Sequence, residues 1–244
     1  MAEEVCQHHE QKSVVMANAK VVRGLEDPQG IMKMLETIGR ICHGSKPNAT
    51  PDSAERFIRM IIRLGHESVL EHVSVTVYVE CDRAMAQQWT RHRIAAYTME
   101  SQRYVTYKEV RFIDPEFRSK SGGDRHYSKG LVDHAAGCPS AEPVPEDVKA
   151  LYAAFDQACS TAEHEYQMLR NSGAPPEDAR VVLPNCTRTV FYTTANLRSW
   201  RHFFEMRCAP GAQHNIRAVS TDLLKQFHQA LPAVFQDIVE KFDV

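Results

Sequence analysis

Apolar residues recur along this chain at two periods, and the switches between them mark out its elements. Residues 13–23 (SVVMANAKVVR) alternate in part and predict a first strand. From Gln29 to Ile41 (QGIMKMLETIGRI) the apolar positions return at helical spacing. The loop HGSKPNATPDS follows, and its Pro51 and Asp52 favour a helix start, so residues 54–64 read as an amphipathic helix. VSVTVYV, residues 73–79, sets valine against polar or aromatic neighbours, the signature of a strand. Asp82 is placed to cap a helix through RAMAQQWTRHR, because a short carboxylate can accept from the free N–H groups of a first turn.

Between about 119 and 146 the pattern dissolves into Gly, Pro, Ser and His, which predicts a long surface loop or insertion. A long helix over about 145–171 ends at Gly173, and Pro175-Pro176-Glu177-Asp178 starts another with acids in its first turn. Residues 190–194 read as a short strand and 196–206 as a helix that Pro210 keeps from continuing. The remainder from Gln213 is mostly helical in pattern. Neither an internal repeat nor a linker interrupts the chain. The fold class expected is α+β, one helix-rich domain over residues 1–244 with a loop insertion around 119–146.

Composition narrows the function. Hydrophobic residues make up 43% and charged residues 25%, the profile of a soluble globular protein. A formal net charge of -2 and 8% aromatics give no basic stripe to track nucleic acid, so any anion site is local. No apolar run approaches the roughly 20 residues of a membrane span, and MAEEVCQHHEQK lacks the apolar core of a signal peptide. Seven scattered cysteines (Cys6, Cys42, Cys81, Cys138, Cys159, Cys186 and Cys208) without a CxxC pair point to reduced thiols in a cytoplasmic protein.

The densest polar cluster is Arg91-His92-Arg93, followed by Ser101 and Arg103. Consecutive helix residues point about 100° apart, so the three cannot grip one phosphate together. They can grip several groups of a large ligand, or fan out where a helix ends. The helix dipole by itself also favours basic residues at a C-terminus. In a second cluster Arg198 and His202 share a helix face at i and i+4, while Arg207 faces another way. That helix can serve ligands or simply present a polar face to solvent. His66-Glu67-Ser68-Val69-Leu70-Glu71-His72 fails the HExxH zinc pattern because Leu70 stands where the second histidine belongs, so no metal is expected. Neither GxGxxG nor GxxxxGK[ST] occurs, and no cysteine has a nucleophile's context.

In combination these elements resemble the flavin-dependent thymidylate synthases. The family hallmark, RHR then seven residues then Ser, is met by Arg91-His92-Arg93 and Ser101, continued by Gln102-Arg103-Tyr104. Gly65-His66-Glu67 with Glu71-His72 is similar to the family's GHExxxEH, and Gln88-Trp89-Thr90-Arg91 to its QWxRHR. Ala179-Arg180-Val181-Val182-Leu183-Pro184 matches ARxVLP, Asn196-Leu197-Arg198 matches NxR, and Met206-Arg207 the last arginine-bearing turn. All lie in family order.

The resemblance implies reductive methylation of deoxyuridylate (dUMP) to thymidylate. The carbon donor would be 5,10-methylenetetrahydrofolate, with FAD and NADPH as the hydride source. It implies a mostly antiparallel central sheet and a homotetramer with intersubunit active sites, and no nucleic-acid or membrane partner. FAD-binding positions map to Ser68, Arg91, His92, Arg93, Asn196, Leu197, Arg198 and His202. The nucleotide set maps to Gln88, Trp89, Thr90, Arg91, Ser101, Gln102, Arg103, Arg180 and Arg207, consistent with a phosphate dianion wanting several arginine forks. His66 maps to the folate and flavin side, and Arg207 to the catalytic residue that polarises the uracil. Ser101 has no paired base and reads as a contact, not a nucleophile.

Ala96, Thr98 and Met99 stand where many members carry Ser, Asn and Glu or Gln. A side-chain contact there passes to Glu100 or is lost, leaving Met99 a backbone role. The alternatives are a flavoprotein of this fold with another acceptor and a nonenzymatic nucleotide or nucleic-acid binder.

Overall fold

A computed structural model describes residues 13–42, 44–45, 51–121, 123–138 and 140–244. Most of the HGSKPNATPDS loop lies outside the described residues, as does Cys6. The predicted first strand is two strands, β1 (Val14–Val15) and β2 (Asn18–Arg23). Two helices follow, α1 (Pro28–Ile41) and α2 (Pro51–Arg63), each with proline in its first turn. Next come a 3₁₀ segment (Glu67–His72), β3 (Ser74–Asp82) and α3 (Arg83–Trp89). The Asp82 carboxylate accepts from Met85 N at 2.5 Å, the cap expected of it.

Three short strands were not legible: β4 (Ala96–Met99), β5 (Phe112–Ile113) and β6 (Phe117–Arg118). The 119–146 stretch also departs from a structureless loop, because it contains β7 (His126–Tyr127) and α4 (Lys129–Gly137). The remaining elements are α5 (Glu146–Asn171), the one-turn α6 (Pro176–Ala179), a 3₁₀ turn at Arg180–Val182, and β8 (Arg188–Asn196). Last come α7 (Leu197–Arg207), α8 (His214–Ala230) and α9 (Pro232–Phe242). Helix and sheet are therefore mixed, as the α+β reading has it. Among the described residues no helix is long and apolar enough to cross a membrane.

The elements gather into two compact units whose segments interleave along the chain, so no continuous linker separates them. One, the sheet unit, comprises residues 18–80, 87–99 and 190–244. Its sheet has the order β2-β3-β8-β4, with β2–β3 and β4–β8 antiparallel. β3 buries Val75, Val77 and Val79, so the valine alternation supplies the apolar face. Gly24 closes the β2 end at φ +104°, where an added Cβ would overlap the Ser74 carbonyl. Behind the sheet lies an aromatic core: Trp89 sits 4.5 Å from Phe203, Trp200 5.2 Å from Phe227, and Phe204 5.8 Å from Phe235. Such pairs each add about 0.5–1.5 kcal/mol beyond area burial. The Trp200 indole N–H is satisfied by Val75 O at 3.1 Å.

The other unit takes residues 13–17, 81–86 and 100–189 of the described chain. The long helix α5 is its spine. Cys159 and Tyr166 pack with Val110, Phe112 and Ala179, while Val148 and Tyr152 pack with Tyr127, Val132 and Val144. This second cluster explains why 119–146 is ordered: α4 and β7 bury apolar residues against α5. Asp114 draws the same region together, accepting from Tyr152 Oη at 2.5 Å and from Lys129 N at 2.6 Å. Gly173 ends α5 with φ +93°, and Ala174 N returns to Leu169 O at 3.0 Å.

Candidate functional site

In the sheet unit the basic triplet lies beyond the helix that was expected to contain it. α3 stops at Trp89, Thr90 and Arg91 turn, and His92 and Arg93 run into the extended β4. The predicted helix overran because Tyr97 captures the chain. Its single hydroxyl proton is shared between His92 O at 2.8 Å and Trp89 O at 3.1 Å, engaging carbonyls at the end of the turn in place of further helical N–H groups. The side chains of Arg91 and Arg93 are exposed as a result and His92 is half-buried.

Arg207, at the last turn of α7, reaches back to this turn. Its Nε donates to His92 Nε2 at 2.9 Å and a terminal nitrogen donates to Gln88 O at 2.7 Å. Because His92 Nε2 accepts, its ring proton sits on Nδ1 and the imidazole is neutral. Of the five guanidinium N–H groups, three are left for a ligand. The Gln88 side chain is held as well, donating to Gln213 Oε1 at 2.6 Å. His202 stands beside His92, ring centroids 5.9 Å apart.

Burial, followed by the Arg207 guanidinium and His202, pushes the His92 imidazole down to about 4. Between its ordinary value near 6.5 and about 4 the unfolded chain therefore holds the extra proton. Stability from this group is full above that window and declines as pH falls through it. Nuclear magnetic resonance of the His92 ring should show a titration midpoint near 4, moving upward in Arg207→Ala. An unperturbed midpoint contradicts the buried pairing.

The other end of α7 is arranged differently. Asn196 caps it, accepting from Ser199 N at 2.9 Å, which leaves the amide nitrogen of Asn196 as a donor. Arg198 is exposed and pairs with Glu71 at 2.5 Å and with Glu67 at 4.0 Å. Glu67 also accepts from the buried Arg201 at 3.0 Å. The segment carrying His66 and Ser68 is thus tied to α7 by carboxylate–arginine pairs, and both of those side chains are exposed. Two assigned positions turn inward instead: Trp89 is 1% and Leu197 0% exposed. Any part these two take in binding falls to their backbone.

Ser101, Gln102, Arg103 and Arg180 belong to the long-helix unit. There Ser101 Oγ accepts from Arg103 N at 3.3 Å, fastening a tight turn. Arg103 donates to the Glu177 carboxylate and Arg180 to the Glu177 carbonyl, both at 3.1 Å. The two arginines therefore converge on one residue at the start of α6. Glu100 does not fill the position vacated at Met99, since its carboxylate accepts from Tyr107 Oη at 2.8 Å. Met99 itself pairs with Phe191 in the sheet, so backbone is what it contributes. Tyr97, Gln213 and Glu177 carried no motif signal: Gln213 meets Gln88 and Glu177 meets Arg103 across long stretches of sequence, while Tyr97 acts within its own turn through a side-chain contact that periodicity does not report. Among the described residues no group of three His, Cys, Asp or Glu could hold a metal ion.

Comparison with known proteins bears on this arrangement. Residues 20–233 match the family model for thymidylate synthase complementing protein. A flavin-dependent thymidylate synthase of Geobacter sulfurreducens is 34% identical over 218 residues, 86% of this chain and 82% of that protein. One from Mycobacterium tuberculosis is 36% identical over 214 residues, covering 86% and 81%. Among solved structures, a UMP/dUMP methylase of Streptomyces cacaoi bound with 5-Br dUMP has TM-score 0.69 and 24% identity. That likeness covers 94% of this chain and 97% of the methylase, and it places both in one fold.

Proposed function

The chain belongs to the thymidylate synthase complementing protein family, and on that premise we propose that it is a flavin-dependent thymidylate synthase, methylating dUMP to thymidylate. The observation that carries the reading is Arg207, braced by His92 and Gln88 with donors to spare beside the RHR turn.

The donor set fits FAD, whose diphosphate and ring edges need cationic and amide donors. Arg91, Arg93 and Arg198 are exposed guanidinium groups, and Asn196 keeps an amide donor at the α7 N-terminus. Ser68, His92 and His202, with the Leu197 backbone, complete the set, and His66 stands on the folate and flavin side. When bound, the flavin supplies the hydride, and NADPH and 5,10-methylenetetrahydrofolate are the reductant and carbon donor we assign.

This chain's own residues do the rest. Arg103 and Arg180 hold the nucleotide phosphate, displacing the contacts each makes to Glu177, and Ser101 and Gln102 contribute further hydrogen bonds. Gln88, Arg91 and the backbone of Trp89 and Thr90 orient the base. Arg207 then stabilises negative charge developing at uracil N3 and O2, which raises electron density at C5 without a cysteine adduct. A neutral His92 matters here: a protonated one would repel the guanidinium it now braces. We extend the family reading to a single functional domain and to a homotetramer with active sites shared between subunits.

The purified protein should be yellow, with flavin absorbance, and should oxidise NADPH and form thymidylate only when dUMP and the folate are present. Bound FAD without thymidylate would sink the assignment in favour of a flavoprotein with another acceptor. Arg198→Ala removes charge-assisted hydrogen bonds worth about 1.5–3 kcal/mol each. FAD should therefore bind on the order of 10–100-fold more weakly in a flavin titration. Unchanged affinity removes Arg198 from the flavin site.

A further inference from the structure

The thiols of Cys159 and Cys186 lie 4.0 Å apart in the long-helix unit, and nothing in the synthase reaction uses them. Cys159 projects from α5 into the cluster with Val110, Phe112, Tyr166 and Ala179, and Cys186 packs against that cluster with partial exposure. Cys81 Sγ donates to Asp82 O, and Cys138 Sγ meets Ser140 Oγ at 3.2 Å. Cys208 is buried against Thr221, and Cys42 is exposed.

We propose that Cys159 and Cys186 are a reversible disulfide site that couples cellular thiol redox state to nucleotide binding. The sulfur atoms need only close from 4.0 Å to a bond length of about 2.05 Å. The two backbones differ in freedom. Cys159 is fixed in a long helix, while Cys186 follows the 3₁₀ turn that carries Arg180 and is tied to β5 by Ile113 N donating to its carbonyl at 2.8 Å. The loop that the bond would close contains Glu177 and Arg180. Closure therefore acts on the segment assigned above to the nucleotide phosphate, and this coupling rests on that assignment.

The oxidant class is a small disulfide such as glutathione disulfide. The contact between the two thiols holds Cys186 below its ordinary value, while the same contact and burial push Cys159 up. Cys186, the more exposed of the two, is thus the first nucleophile. Its thiolate attacks one glutathione sulfur, forming a mixed disulfide and releasing a glutathione thiolate. Cys159 then loses its proton, its sulfur attacks Cys186 Sγ, and the second glutathione thiolate leaves. Two protein thiols are oxidised and one disulfide is reduced to two thiols.

The full-length protein is equilibrated in glutathione buffers of graded ratio, alkylated in denaturant and mapped by peptide mass spectrometry. Expected is a Cys159–Cys186 cross-linked peptide that grows with oxidation and disappears on dithiothreitol treatment. The exposed Cys42, captured as its glutathione adduct, reports that the oxidant is active. Both thiols alkylated, or Cys186 present only as its glutathione adduct, overturns the pair without reference to any activity. In parallel, half-saturating dUMP is measured by equilibrium binding. A severalfold rise on oxidation is expected in the wild type and none in Cys159→Ser or Cys159→Ala. A cross-link that leaves dUMP binding unchanged overturns the coupling. A reduced protein that binds no dUMP instead overturns the functional assignment, leaving the cross-link result to decide the pair.

Discussion

Arg207→Ala should lower kcat by about 10²–10³-fold, the loss typical of removing a donor aimed at charge that develops in the transition state, while FAD should remain bound. The separation of these effects follows from where the side chain sits. Arg207 leaves α7 on the side opposite Arg198 and meets His92 and Gln88, whereas Arg198 meets Glu71. Flavin absorbance of the purified variant reports the cofactor, and single-turnover thymidylate formation reports the chemistry. Arg207→Lys keeps the charge but loses the planar fork that spans His92 and Gln88, so it should rescue little. Activity within a few fold of wild type in the alanine variant would take Arg207 out of the ring-activating role. Loss of flavin along with activity would make it a binding residue instead.

Asp237→Ala should cost the fold about 3 kcal/mol, the lower end of the range for breaking a buried ion pair. Arg201 is the reason. It is 4% exposed on α7, and its two terminal nitrogens bind the Asp237 carboxylate at 2.8 and 2.7 Å. The carboxylate itself is half-exposed, so its own loss is cheap and the guanidinium left behind is not. Arg201 keeps Glu67 and the carbonyl of Val234, which holds the cost to the low end. For a chain of this size the melting midpoint should fall by roughly 6–12 °C. The variant also reports on acid sensitivity. Burial raises the Asp237 carboxyl, but the Arg201 fork outweighs it and holds the group below its ordinary value. Its stabilisation is full above the unfolded carboxylate value and is lost as pH falls from there through the lower folded value, and the variant lacks that component. A midpoint shift under about 2 °C would mean that Glu67 and the Val234 carbonyl suffice to satisfy Arg201.

The function reached through Arg207 and Arg198 was visible in motifs, but the architecture around them was only partly so. α1, α2, α5, α7 and α8 were legible because each buries one face along many residues, so its apolar period repeats often enough to read. β3 was legible from its valines. β5, β6 and β7 are two residues each, too short to show any period, and they exist because a partner strand supplies their hydrogen bonds. α4 was hidden in a stretch rich in Gly, Ser and His. Its order comes from Val132 packing toward α5 and from Asp114 gripping its first turn.

The candidate site divides along the same line. Which residue types are present, in what order and at what spacing, could be read directly: RHR before Ser101, Asn196 and Arg198 opening a helix, Arg207 on its far side. Their partners could not. Arg207 meets His92 across 115 residues, and Arg198 meets Glu71 across 127. Local periodicity reports which face of an element is apolar, because neighbours on one helix or strand share its geometry. It carries no term for the register between elements, and that register decides which carboxylate an arginine finds. The chain's letters thus specified a set of cationic and amide donors in a family's order. Only packing of α7 against the β4 approach made His92 a neutral brace and turned Trp89 and Leu197 inward, because those outcomes depend on what lies across the core.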